Sequence, residues 1–176
     1  MERTTNKYVF FWGSEFSNWY DCEFMYRGIL FNNSEQAFMY EKAKFFHDNV
    51  IASQILAVDN PSICKSLGRK VKGFDAKKWL TAGYPFMIQI NYAKYSQNPK
   101  LKELLLSTGD KTIVEASPYD NIWGIGIHWN DDNCLDESKW KGTNLLGKAL
   151  MDVRKELKND TGSTENNLEN NKESGT

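Results

Sequence analysis

Residues 32–46 read NNSEQAFMYEKAKFF, and a change of rhythm inside them decides the fold class. Upstream, residues 8–12 and the segment FMYRGILF at 24–31 are aromatic and branched, a pattern that predicts strands or the arms of a hairpin. From residue 33 to 46 the spacing becomes helical, with Phe38, Met39, Phe45 and Phe46 near one face and Ala37 and Ala43 beside them. Further helices are predicted at 50–58, at 62–67 after Asn60-Pro61 and before Gly68, and at 99–107. Another is predicted at 79–95, with Pro85 near its first turn, and a last one at 145–157 with Leu146, Leu150, Val153 and Leu157 as its buried stripe. Residues 112–116 (TIVEA) read as a strand, followed by the Gly-rich YDNIWGIGIHW at 119–129. Strands and helices do not alternate, so the expected class is α+β: a helix-dominated single domain with a small sheet built from strands near the N-terminus and around residues 112–127.

Size and composition agree with one domain at 1–158, large enough to bury its own core. The tail NDTGSTENNLENNKESGT at 159–176 has one Leu and no aromatic residue, a composition that predicts disorder. Net charge is −1 and the cations are scattered, which argues against a strongly basic groove for duplex nucleic acid. Cys22, Cys64 and Cys134 are odd in number and widely spaced, no CxxC occurs, and the histidines are His47 and His128 alone. That usage argues against a zinc site and fits reduced thiols in a cytoplasmic protein. No apolar leader or 18-residue apolar run is present, so no membrane association is expected.

Several residues invite two readings. Asn32 with Glu35, and Asn33 with Gln36, both have the spacing of a capping box, and capping is the ordinary use of a carboxylate in a first helical turn. The helix dipole there favours an ionised Glu35, which would suit an anionic catalytic role. Asp120 follows Pro118-Tyr119, where an Asp usually binds its own backbone; Trp123 between it and Gly124 and Gly126 offers a flat platform that a ligand could approach. Trp79 is by default a core residue. Arg69 and Lys70 complement a helix end or recognise a phosphate. Lys44 lies about two and a half turns beyond Glu35, on the opposite face of an ideal helix. The run Gly142-Thr143-Asn144-Leu145-Leu146-Gly147 lacks the ending of a phosphate-binding loop and reads as a loop with a helix cap.

Taken together, FSNW at 16–19, SEQAFMYEKAKFF at 34–46, LGRKVKGFDAKKW at 67–79, LLLSTGDKTIVEASPYDNIWGIG at 104–126 and GTNLLGKALMDVR at 142–154 resemble the NADAR superfamily. That superfamily includes N-glycosidases acting on riboflavin-biosynthesis intermediates. The resemblance implies catalytic positions at Glu35, Trp79 and Asp120, and substrate contacts at Asn18, Lys44, Arg69, Trp123 and Asn144. It implies a hydrolase that needs neither cofactor nor metal and acts on a phosphoribosyl or ADP-ribosyl small molecule, with contact to a modified nucleic acid as a further expectation. Two departures stand out: Gln36 occupies a position that is His in some members, and residues 128–141 form a longer segment than in the compact riboflavin-intermediate branch.

Overall fold

The computed structural model describes residues 2–173, with side chains through Asp160. Strands β1 (Arg3–Thr4), β2 (Tyr8–Phe11) and β5 (Thr112–Glu115) form a sheet in the order β1-β2-β5. The β1–β2 pair is antiparallel, whereas β2 and β5 run parallel from Tyr8↔Thr112 to Phe11↔Glu115. Parallel neighbours cannot be joined by a tight turn. The chain between them holds the hairpin β3 (Phe24–Tyr26) and β4 (Ile29–Phe31), then helices α1 (Ser34–Phe45), α2 (Asn49–Leu56), α3 (Pro61–Gly68), α4 (Ala76–Gln97) and α5 (Pro99–Ser107). Arg27 and Gly28 turn the hairpin with φ of 51° and 78°, the left-handed pair that matches the twist of a two-residue connection. Helix α6 (Leu145–Glu173) then packs on β5 and α4. The expected α+β class is what the chain adopts.

Every residue of β2 is buried, and the period of two explains how. Val9 and Phe11 enter the main core beneath the helices, while Tyr8 and Phe10 enter a second cluster with Val114, Ala116, Ile125, Ile127 and Cys134. The long segment after residue 125 covers that outer face. It carries short 3₁₀ turns at Asp132–Leu135 and Glu137–Lys139, and Trp140 Nε1 donates to the Cys134 carbonyl at 2.8 Å. The three cysteines are free and buried.

Several elements depart from the sequence expectation. Helix α4 begins at Ala76, capped by the Asp75 side chain, and so places Pro85 inside the helix rather than in its first turn. Pro has no N–H to give, so one rung of the helix is missing there. Phe45 stays 38% exposed, although it was expected on the apolar face of α1. Helix α6 continues past 157, and the domain limit expected at 158 falls within it. The disorder expected for 159–176 falls partly on residues 174–176 and on side chains beyond Asp160, which lie outside the described residues. Among the described residues no helix is long and apolar enough to cross a membrane.

Candidate active site

The parallel pair β2–β5 ends at one edge of the domain, and the cavity lies against those carboxyl ends, where loops from neighbouring strands diverge. It has a volume of about 240 Å³. Glu35, Lys42, Phe38 and Met39 reach it from α1, Lys65 and Arg69 from the end of α3, and Trp79 and Met87 from α4. Ser17, Asn18 and Trp19 come from the loop after β2; Glu115, Asp120 and Trp123 come from β5 and the loop after it.

Glu35 is placed by a cap that it does not itself make. Asn33 caps α1, accepting the Gln36 N–H at 2.9 Å, and Gln36 Oε1 returns to accept the Asn32 N–H at 2.9 Å. Of the two spacings, Asn33 with Gln36 supplies the cap, with the Gln36 side chain returning to the amide one residue before it, which leaves the Glu35 side chain to the cavity. Its backbone N–H donates to the Asn18 carbonyl at 2.9 Å and ties α1 to the loop after β2. Only 6% of Glu35 is exposed. Burial pushes its carboxyl up to about 7, with Asp120 acting in the same direction; Lys65, the Trp19 side chain and Lys42 pull it down. The helix start that favours an ionised Glu35 is thus opposed by its burial. Desolvation outweighs the dipole at this depth.

Asp120 makes the turn expected of it: Oδ1 accepts the N–H groups of Ile122 at 2.9 Å and Trp123 at 2.7 Å. The turn is held in place by α6, whose first amides at Leu145 and Leu146 donate to the carbonyls of Ile122 and Trp123. Trp123 meets Phe38 edge-on at 5.1 Å, and Phe38 lies 5.0 Å from Trp79. These rings form a continuous aromatic wall. Trp79 stacks on Phe86 at 5.9 Å and 27°, so part of its ring surface is already covered within the protein.

Asn18, Glu35, Arg69, Trp79, Asp120 and Trp123 thus share one cavity. Lys44 and Asn144 lie elsewhere. Lys44 Nζ donates to Asn49 Oδ1 at 2.8 Å on the exposed side of α1, as the helical period requires. Asn144 is 1% exposed and clamps β5: its Oδ1 accepts the Glu115 N–H at 3.0 Å, and its Nδ2 donates to the Ile113 carbonyl at 2.9 Å. It adopts φ of 53°, a left-handed conformation that Asn tolerates. Gly147 completes the clamp, since a Cβ there would overlap the Ile113 carbonyl. The run 142–147 is a structural joint between α6 and the sheet.

Sequence reasoning missed Lys42, Lys65, Trp19 and Glu115. Lys42 lies seven residues after Glu35, almost two full turns, and this period was a usable signal. Burial pushes its ammonium down from its ordinary value, with Arg69 acting the same way and Glu35 opposing. Glu115 ends the apolar strand TIVE, where a carboxylate at a strand's carboxyl end could have been noticed. Among the described residues no group of three or more His, Cys, Asp or Glu is arranged to hold a metal ion.

Fold and cavity together define a small α+β domain with an acid-lined, aromatic-walled pocket flanked by cations. A family profile described as the NADAR domain matches residues 10–158. The chain is 40% identical over 165 residues to N-glycosidase R617 of Acanthamoeba polyphaga mimivirus, covering 86% of this chain and 97% of that one. It is also 29% identical over 141 residues to riboflavin biosynthesis protein VVA0006 of Vibrio vulnificus, covering 80% of this chain and 35% of that one. The NMR structure of the Escherichia coli protein YbiA matches with a TM-score of 0.73 at 25% identity, covering 90% of this chain and 89% of that one. The chain belongs to the NADAR domain family.

Proposed function

We propose that this chain is an N-glycosidase that hydrolyses the bond between a base and a 5-phosphorylated ribose, with ribosylamino-pyrimidine 5′-phosphates as its substrate class. The enzyme class draws support from the relative named N-glycosidase R617, which the chain matches over nearly its whole length. The pyrimidine substrate draws support from the relative named for riboflavin biosynthesis.

The observation that carries the reading is the pairing of Glu35 with Asp120 in a cavity walled by Trp79 and Trp123 and flanked by Arg69 and Lys65. Breaking an N-glycosidic bond builds positive charge on the sugar and requires a water to reach the anomeric carbon. In its ionised form, Glu35 takes a proton from that water or faces the sugar cation. Asp120, oriented by its turn, contacts the ribose hydroxyls. Trp79 and Trp123 shape a slot for a flat base, Asn18 lines the same wall, and the Arg69 guanidinium holds the phosphate.

A second reading, removal of ADP-ribose from a nucleobase, is favoured by one feature. A neighbouring cavity of about 360 Å³ shares Ser17, Trp19, Lys65, Arg69, Glu115 and Asp120 with the first, and Trp12 and Tyr119 line its far side. That leaves room for a longer nucleotide, including one whose target base is carried on a single strand of nucleic acid.

Incubation with a ribosylamino-pyrimidine 5′-phosphate and, separately, with an ADP-ribosylated nucleobase tests both readings. Mass spectrometry is expected to detect ribose 5-phosphate from the first. Release of ADP-ribose alone would select the second reading. Tight binding with no sugar product from either would leave a nucleotide-binding module and overturn the enzyme.

A further inference from the structure

Glu115 has no part in the scheme above, yet it lines the same cavity from a firmly held backbone. Its strand is locked on both sides: the Glu115 N–H donates to Asn144 Oδ1 at 3.0 Å, and the Glu115 carbonyl accepts the Ile125 N–H at 2.9 Å. Strand alternation buries Val114 in the outer cluster and sends the next side chain the other way. The Glu115 side chain lines the inner cavity and its neighbour alike, at the wall they share. Its Oε2 is sealed from solvent and has no hydrogen-bond partner.

The surroundings decide the protonation state. Glu35 faces Glu115 from α1 and Asp120 from the loop after β5, while Lys65 and Arg69 come from α3 and Lys42 from α1. A carboxylate oxygen without a donor, close to two other acids, is costly as an ion and stable as a neutral acid. Burial first, then Asp120 and Glu35, push the Glu115 carboxyl up to about 8, against a smaller pull from Lys65. The Glu35 carboxylate is supported by a hydrogen bond from Trp19 and by Lys65 and Lys42. Glu115 has Lys65 alone and an oxygen without a donor, so Glu35 is the acid fitted to carry the charge and Glu115 the one fitted to keep its proton.

We propose that Glu115 is the general acid of the reaction, giving its proton to the leaving base while Glu35 serves as the base for water. This rests on the N-glycosidase reading and assigns the division of labour within it. The bond from the anomeric carbon to the base nitrogen breaks with its electron pair going to the base, which takes the Glu115 proton. The water oxygen bonds to the anomeric carbon and its proton passes to Glu35. One water is consumed, and a proton exchanged with solvent returns Glu115 to the acid and Glu35 to the carboxylate.

The test is Glu115→Gln, which keeps the shape of the neutral acid but has no proton to transfer. On a ribosylamino-pyrimidine 5′-phosphate its kcat is expected to fall about 100-fold or more, the usual weight of a general acid. On 4-nitrophenyl ribofuranoside 5-phosphate, whose leaving group needs no proton, the loss is expected to stay within about 5-fold. The alkaline limb of the wild-type kcat/KM profile, above pH 8, is expected to vanish in the variant. A Glu115→Gln enzyme with wild-type kcat and an intact alkaline limb on the pyrimidine substrate would overturn the assignment, as would equal losses on both substrates. A ¹³C-carboxyl NMR titration of the wild type is independent of the variant's folding. A Glu115 resonance titrating above pH 7 supports the proposal, and one titrating near 4.5 refutes it. Should the wild type release no sugar phosphate from either substrate, the N-glycosidase reading itself falls; a wild type that is active beside an equally active variant sinks the general acid alone.

Discussion

Behind the loop that follows β2, Lys94 places its ammonium between the carbonyl oxygens of Glu15 and Ser17, 3.0 Å from each. In front of the same loop, Glu35 and Glu115 bury carboxyls that burial holds above their ordinary range, and Glu115 Oε2 has no partner. Lys94, like Asn144, spends its hydrogen-bonding capacity on backbone, and the two fix the loop that carries Ser17, Asn18 and Trp19 and the strand that carries Glu115. In front, Glu115 Oε2 is left without a partner. A buried polar group that is satisfied holds the scaffold, while one left unsatisfied is available to a ligand.

Substitutions on the two sides should separate those uses. The largest effect is expected at the front: Glu35→Gln should lower turnover on the cleaved substrate by roughly 10²–10⁴-fold with the fold retained, as steady-state kinetics and circular dichroism would read. Near-wild-type kcat would remove Glu35 from the chemistry. At the back, Asn144→Ala should destabilise the domain by about 2–4 kcal/mol in urea unfolding, through two buried hydrogen bonds and a lost left-handed preference. Asn144→Gly should recover part of the loss, because Gly adopts that backbone freely. An unchanged midpoint for Asn144→Ala would mean that the clamp does not hold β5.

The same Glu35→Gln protein also carries a pH signature. The folded Glu35 carboxyl lies at about 7 and its unfolded value at 4.5, so the native state binds the proton more tightly. Its unfavourable contribution is absent below 4.5, grows through 7, and reaches roughly 3 kcal/mol at pH 8. Replacing it by a neutral amide should accordingly raise the melting temperature at pH 8 and leave it unchanged at pH 4; a gain of equal size at both would break the argument from burial. Smaller still, Arg69→Ala should raise KM about tenfold for a phosphorylated substrate without a matching fall in kcat. Lys44→Ala, away from the cavity, should alter neither constant. A Lys44→Ala enzyme with a raised KM would return that residue to the substrate.

How far the site was legible follows from the same distinction. Asn18, Glu35, Arg69, Trp79, Asp120 and Trp123 stand in motifs that resemble a known family, and the fold gathers all of them at one cavity. Lys44 and Asn144 belong to the same motifs, yet one faces solvent and the other is consumed by β5. Motif membership marks a residue as constrained without saying whether backbone or ligand imposes the constraint. Glu115 shows the reverse. Its one local mark is a carboxylate at the end of an apolar strand, and only α1 and the 117–123 loop bring Glu35 and Asp120 beside it.

Local chemistry, by itself, determined the α+β class, the caps, the core stripe of α6 and the Asx turn at Asp120, since each depends on residues only a few positions apart. It also offered two spacings for the cap of α1 and gave no sign of the burial that raises the Glu35 carboxyl. Tertiary structure decided those, along with the pairing of β2 and β5 across a hundred residues and the company that Glu115 keeps. Desolvation and the proximity of like charges are properties of the assembled cavity, and no window along the chain contains them.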